Sequence, residues 1–169
     1  MGVTIHFEGQ LSDETAYRNL IAGAEVFARE RSWLTEPLES EETTLLRVRD
    51  EKEWDYRGPV KGMLIYPHED CEPVRLEFDR TLYIQEYTKT QFAGAQIHVE
   101  VLELLTVIKP FFFTFKVEDE GEYWETGDLQ LLSEHMDRVH NVIQEELEKN
   151  PSAQTKLKTP SGRIIDLMT

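Results

Sequence analysis

Only one cysteine, Cys71, occurs in the 169 residues of this chain. That excludes an intramolecular disulfide and any structural zinc site built from several thiolates. A lone thiol fits a reducing compartment, so a cytoplasmic location is expected. Cys71 follows His68, Glu69 and Asp70, and acids at that distance disfavour a thiolate, so no nucleophilic role is expected for it. Basic charge is also scarce: 18 Lys and Arg stand against 33 Asp and Glu, for a net charge of −15. Binding to nucleic-acid phosphates or to anionic membranes depends on Lys and Arg displacing counterions, so neither is an expected partner. No run is long and apolar enough to cross a bilayer. The opening MGVTIHFEGQLSDE reads as a strand and a helix cap, not as a signal peptide. His6 stands where a myristoylation signal carries Ser or Thr. Glycine-rich phosphate loops, nucleophile elbows and dinucleotide fingerprints are missing. So is the zinc-protease pattern, because His135 and His140 are five apart and do not share a helix face.

What is present suffices for one folded unit. At 40% hydrophobic and 30% charged the chain falls in the ordinary globular class, long enough to bury a core without staples. There is no internal repeat. Residues 1–150 are expected to form a single domain, and 151–169 a polar, partly mobile tail. Ile164, Ile165, Leu167 and Met168 equip that tail to dock as an edge strand. The last twenty residues hold three cations and one acid, about +2, which leaves about −17 on residues 1–149.

Hydrophobic spacing sets the order of elements. Val3, Ile5 and Phe7 alternate with Thr4, His6 and Glu8 in a half-buried strand that leaves His6 outside. Ser12 offers a helix cap, and Tyr17, Leu20, Ile21, Ala24, Phe27 and Ala28 make one apolar stripe. Residues 34–42, with Pro37 and several acids, read as a loop. Runs at 43–49, 60–66, 74–78 and 82–87 are short, β-branched or aromatic, and separated by turn residues, which predicts an antiparallel meander. A second helix runs from Gly94 to Pro110 and is apolar nearly all round, so it is either central or half of a homodimer interface. A strand follows over 111–117. A third helix is capped by Thr126 or Asp128 and ends at Asn150-Pro151. The fold class read from this order (β-α-β-β-β-β-α-β-α) is α+β: a curved, mostly antiparallel sheet of five to six strands with three helices mainly on one face.

The densest polar feature is EDEGEYWETGD at 118–128. It gathers Glu118, Asp119, Glu120, Glu122, Glu125 and Asp128 around the aromatics Tyr123 and Trp124. So many carboxylates repel one another unless solvated or neutralised, and a divalent cation would relieve them through oxygen ligands, although the spacing is not that of a calcium loop. Strand alternation sends Glu118, Glu120 and Glu122 to one side and Asp119 to the other. At the start of the second helix, Lys89, Gln91 and His98 collect a cation, an amide and an imidazole near free N–H groups. A fifteen-residue helix and a nine-residue strand span similar lengths, so an antiparallel turn at Pro110 brings the start of one to the end of the other. The candidate cleft is therefore Lys89, Gln91, His98, Glu120, Glu122, Tyr123, Trp124 and Glu125, with His98, Glu120 and Glu122 as candidate metal ligands.

Three functional readings follow. In the first, the chain is a non-enzymatic interaction or inhibitor-type module that presents carboxylates and aromatics to a basic protein or peptide. The second is a metal-dependent or acid–base enzyme that uses His98 with Glu120 and Glu122. The third is a small-molecule binding domain with its pocket between the sheet and the first helix. No cofactor is required by any motif; a divalent cation is the one candidate.

Overall fold

A computed structural model describes residues 2–169. The fold is α+β, and the described residues form eight strands in three antiparallel sheets and four helices. Strand β1 (Thr4–Gln10) lies at the centre of one sheet, between β5 (Tyr83–Lys89) and β6 (Thr114–Asp119). A second sheet has the order β2-β3-β4, from Leu34–Arg49, Lys52–Tyr66 and Val74–Phe78. The two sheets meet where β4 turns into β5. Asp79 N–H donates to Tyr83 C=O at one end of that seam, and Glu72 N–H to Lys89 C=O at the other. Together they form one bent surface.

Three helices cover its inner side. Helix α1 (Glu14–Glu30) is capped by Asp13, whose carboxylate accepts from Ala16 N–H at 2.8 Å, one residue later than the expected Ser12. Helix α2 (Ala95–Ile108) is the inside helix: Val101, Leu102, Leu104, Leu105 and Ile108 are buried, in one core with Ile5 and Phe7 of β1 and Leu20 and Phe27 of α1. Each such side chain contributes roughly 1.5–3 kcal/mol by leaving water. The additional apolar side of α2 is covered too. Val99 packs against Leu132 and Met136 of a long helix, Leu129–Lys149, which follows the four-residue helix α3 (Tyr123–Thr126) and is called α4. Asp128 caps α4 through Gln130 and Leu131 N–H.

Several segments depart from the sequence reading, among them residues 52–59, which the polar and aromatic composition of 51–59 marks as a link before the run at 60–66 and which form the first half of β3. Residues 34–42 are strand, not loop, because β2 and β3 form one long hairpin paired from Leu34↔Tyr66 to Arg49↔Lys52, with a bulge between Ser40 and Thr43. Acids on both faces hid the strand, since most of this arm stands in solvent and needs no apolar alternation. Its tip is a two-residue loop, Asp50-Glu51, with φ of 51° and 64°, the mark of a type I′ turn. The sixth strand starts at Thr114, and Phe111 belongs to a 3₁₀ turn over Lys109–Phe111.

Residues 151–169 extend neither main sheet. They make their own hairpin, β7 (Gln154–Lys158) with β8 (Ile164–Met168). Charged groups clamp it to the body. Arg163 reaches Glu86 at 2.7 Å and Glu72 at 3.3 Å, Lys89 reaches Asp166 at 3.1 Å, and Glu72 accepts from Ile164 N–H. Among the described residues no helix is long and apolar enough to cross a membrane.

Candidate functional site

The start of α2 and the end of β6 do come together, but the acid that turns inward there is Asp119. It shares the core-facing side of β6 with Val117, while Glu118 and Lys116 face outward as an ion pair at 2.7 Å. His98 is fully buried between two partners. Thr90 Oγ1 lies 2.6 Å from its Nδ1, and Asp119 Oδ1 lies 2.9 Å from its Nε2, off the line of a well-aligned hydrogen bond. The carboxylate also accepts N–H groups from Gly121, Tyr123 and Trp124. Burial alone would raise the Asp119 pKa. The His98 contact and these backbone donors outweigh it and hold the carboxyl below its ordinary value.

Hydroxyl, imidazole and carboxylate stand here in the order of a nucleophilic triad. Thr90 is fully buried, however, and its hydroxyl lies against Val3 C=O, 3.4 Å away. The trio is a polar staple that ties the end of β5, α2 and the turn after β6.

The other residues of the expected cleft are engaged separately. Lys89 bonds Ile164 C=O and Asp166. Gln91 accepts from Val3 N–H and donates to Met136 C=O, which ties β1 to α4. Glu120 accepts from Thr4 N–H at 2.9 Å and pairs with His6 at 3.2 Å. Glu122 pairs with His135 at 2.5 Å. Tyr123 and Trp124 are half-buried and pack on the core, and Lys109 sits 5.8 Å from the Trp124 ring. Glu125 is exposed. His98, Glu120 and Glu122 thus point to three different partners, and no group of three metal-competent side chains converges among the described residues. Strand alternation explains the separation. His98 lies on the inner side with Asp119, and the neighbouring glutamates cannot reach it.

A larger concavity lies on the opposite side of the sheet. It is a groove of about 860 Å³ between residues 43–48 of β2 and the outward side chains of the β5-β1-β6 sheet, closed at one end by β4 and the turn of the β7–β8 hairpin. The arm that makes its wall is fastened down by Arg47, which is 1% exposed. Its guanidinium donates to Gln85 C=O at 2.9 Å, lies 3.7 Å from Asp79 and sits over the Tyr83 ring. Beside it, Gln85 bonds the backbone of Val48 twice. Tyr83 donates to Glu8 at 2.6 Å; burial and that contact push its phenol pKa to about 12, so it stays a donor.

Charges in the groove are mixed. Arg47, Arg75, Lys116 and Arg163 face Glu8, Glu77, Glu86 and Glu118. Lys116 pairs with Glu118 and Arg163 with Glu86, while Arg47, Arg75 and Glu8 bond Asp79, Ser161 C=O and the Tyr83 and Gln85 side chains. Glu77 makes no hydrogen bond or ion pair among the described residues; the residue is 6% exposed, and its carboxylate oxygens keep contact with solvent in the groove. Burial, then the charge of Glu86, pushes its carboxyl pKa up, against the pull of Arg75, Arg47 and Arg163.

Sequence reasoning missed Arg47, Glu77, Gln85 and Arg163. A short alternating strand, Val74-Arg75-Leu76-Glu77-Phe78, carried one faint signal, a charged face opposite an apolar one. Nothing local announces that the arm folds over that face. No protein-family model, no curated protein and no solved structure matches the chain.

Proposed function

We propose that the protein is a non-enzymatic binding module whose ligand seats in the groove between β2 and the outer face of the β5-β1-β6 sheet. One observation carries this reading: Glu77, a mostly buried residue, presents a carboxylate with no protein partner to the solvent of an 860 Å³ concavity. Ligand sites are concave and combine apolar walls with a few convergent polar groups, and a titratable side chain perturbed by burial marks such places. A cationic group on the ligand would satisfy Glu77, and the net charge of −15 favours the approach of cations over long distances. The reading keeps the expectation of a basic partner and moves its seat. Support for the patch at 118–125 is weaker, because Tyr123 and Trp124 are spent on covering the core. Support for acid–base chemistry at His98 is weaker still, since no exposed surface reaches it.

The test is a screen of amine- and guanidine-bearing fragments against the isotope-labelled chain, read through backbone amide shifts. Shifts clustered on Glu77, Gln85, Glu86 and Arg163, and lost in Thr44→Trp, which fills the groove, are expected. Shifts centred on Tyr123 to Glu125 would transfer the function to the acidic turn, and an absence of shifts at the groove would overturn the reading.

A further inference from the structure

The backbone of β2 narrows the class of ligand. In a hairpin closed by a two-residue loop, the flanking residues Arg49 and Lys52 are the hydrogen-bonded pair. Alternation then directs the N–H and C=O of Arg49, Arg47 and Leu45 toward β3, and those of Val48, Leu46 and Thr44 the other way. The contacts of Val48 agree. Its N–H donates to Gln85 Oε1 at 2.7 Å, and its C=O accepts from Gln85 Nε2 at 2.7 Å. The side-chain amide of Gln85 thus fills the place of a neighbouring strand at Val48. β2 is the outer strand of its sheet, and Thr44 and Leu46 have no such partner among the described residues. Both line the groove, and the Leu46 side chain is 76% exposed.

We infer that the groove takes an extended peptide segment, added as a strand along the free edge of β2 at Thr44 and Leu46, with a Lys or Arg side chain directed to Glu77. This rests on the groove being the ligand seat. Strand addition lets main-chain bonds supply affinity while side-chain pockets supply selectivity. Both elements are present in one concavity: unpaired backbone groups on its wall and a carboxylate, Glu77, with no protein partner. A row of open N–H and C=O groups beside exposed Leu46 and Val48 is also what protein chains normally blunt with charge, proline or a covering element. Pro37, the acids and the bulge blunt the part of the edge before Thr43, and Gln85 covers Val48 alone, so Thr44 and Leu46 stay open between them.

A random library of displayed peptides, about seven residues long to match a typical strand, is panned on the full chain, and an enriched sequence is then synthesised. The expected winners alternate β-forming residues and carry Lys or Arg at one recurring position. Adding the synthetic peptide should slow hydrogen exchange at the Thr44 and Leu46 amides. Leu46→Pro, which removes a groove-facing donor and spares the bonds to β3, should weaken binding by about tenfold or more. Glu77→Gln should abolish the preference for a cation at the recurring position. Enrichment of no peptide would overturn the inference, as would a winner that leaves Thr44 and Leu46 exchange unchanged and binds Leu46→Pro equally well. In that last case, amide shifts at Gln85, Glu86 and Arg163 would keep the groove as the seat while strand addition falls; shifts confined to Tyr123–Glu125 would remove both. Slow exchange at both amides without peptide, together with a dimer mass in sedimentation, would give the edge to a second copy and overturn the peptide assignment.

Discussion

Asp119 and Glu77 are both mostly buried acids, and their surroundings drive them in opposite directions. Asp119 is held low by His98 and backbone donors. The unfolded chain therefore binds its proton more readily, and Asp119 contributes stability above its unfolded pKa that is lost as pH falls through the folded value. Asp119→Asn leaves amide hydrogens facing N–H donors and should cost about 2–3 kcal/mol; it should also flatten the acid limb of a Tm-against-pH curve, the part below the ordinary carboxylate range. An unchanged limb in the variant would sink this account. For Glu77 the sign reverses. Its folded pKa is raised by burial and Glu86, so the folded state binds the proton more tightly, and stability falls as pH rises from the unfolded value through the folded one. Glu77→Gln is expected to raise Tm at neutral pH by a few degrees and to make no gain at about pH 4, measured by thermal melts at each pH. Strand alternation set Asp119 apart from Glu118 and Glu120 in the sequence, but the expected partners of His98 were Glu120 and Glu122, and it is Asp119 that turns inward. The lack of a partner for Glu77 was not legible, because it depends on what the arm and the terminal hairpin place around it.

Among elements, the crossing of β3 and β4 is the least forgiving. Gly62 has φ of 154°, and a Cβ there would lie 1.5 Å from the Leu76 carbonyl oxygen. Backbone cannot move aside as a flexible side chain does, so Gly62→Ala should cost about 4 kcal/mol or more, from strain and overpacking together. Chemical denaturation measures it; a loss under about 1 kcal/mol would show that the seam yields. Elements whose periodicity was enforced by burial were readable: β1, α1, α2 and α4 each carry an apolar face, and each lies within one or two residues of its expected place. The first half of β2 was not, because hairpin pairing in solvent imposes no pattern on side chains. Nor was the β7–β8 hairpin. Its attachment runs through Arg163, Lys89, Glu72 and the Lys156–Asp70 pair, and cations in a polar tail give no hint of their destination.

At the scale of the whole molecule, charge works against compactness. A net −15 on 169 residues is a self-repelling surface, and salt screens repulsion between exposed charges more than it weakens the few buried pairs. Raising sodium chloride from about 0.01 to 0.2 M, which shortens the screening length from roughly 30 to below 10 Å, should raise Tm. A fall would show that surface ion pairs such as Lys61–Glu14 and Lys116–Glu118 outweigh the repulsion. The α+β class and the order of elements followed from the sequence because one core, shared by both sheets and α1 and α2, disciplines most of the chain. The groove did not, being a product of how two sheets bend and where an arm comes to rest.

The Gln85 amide at Val48 works as a stopper on an otherwise open ladder. Any chain annealing there must start its count beyond that rung, so its alignment is decided before its own side chains are consulted. Without the stopper, one more rung would open toward the hairpin tip, and the arm would offer a longer template for sticking to copies of itself. On the strand-addition reading, a single glutamine separates selective capture from uncontrolled polymerisation.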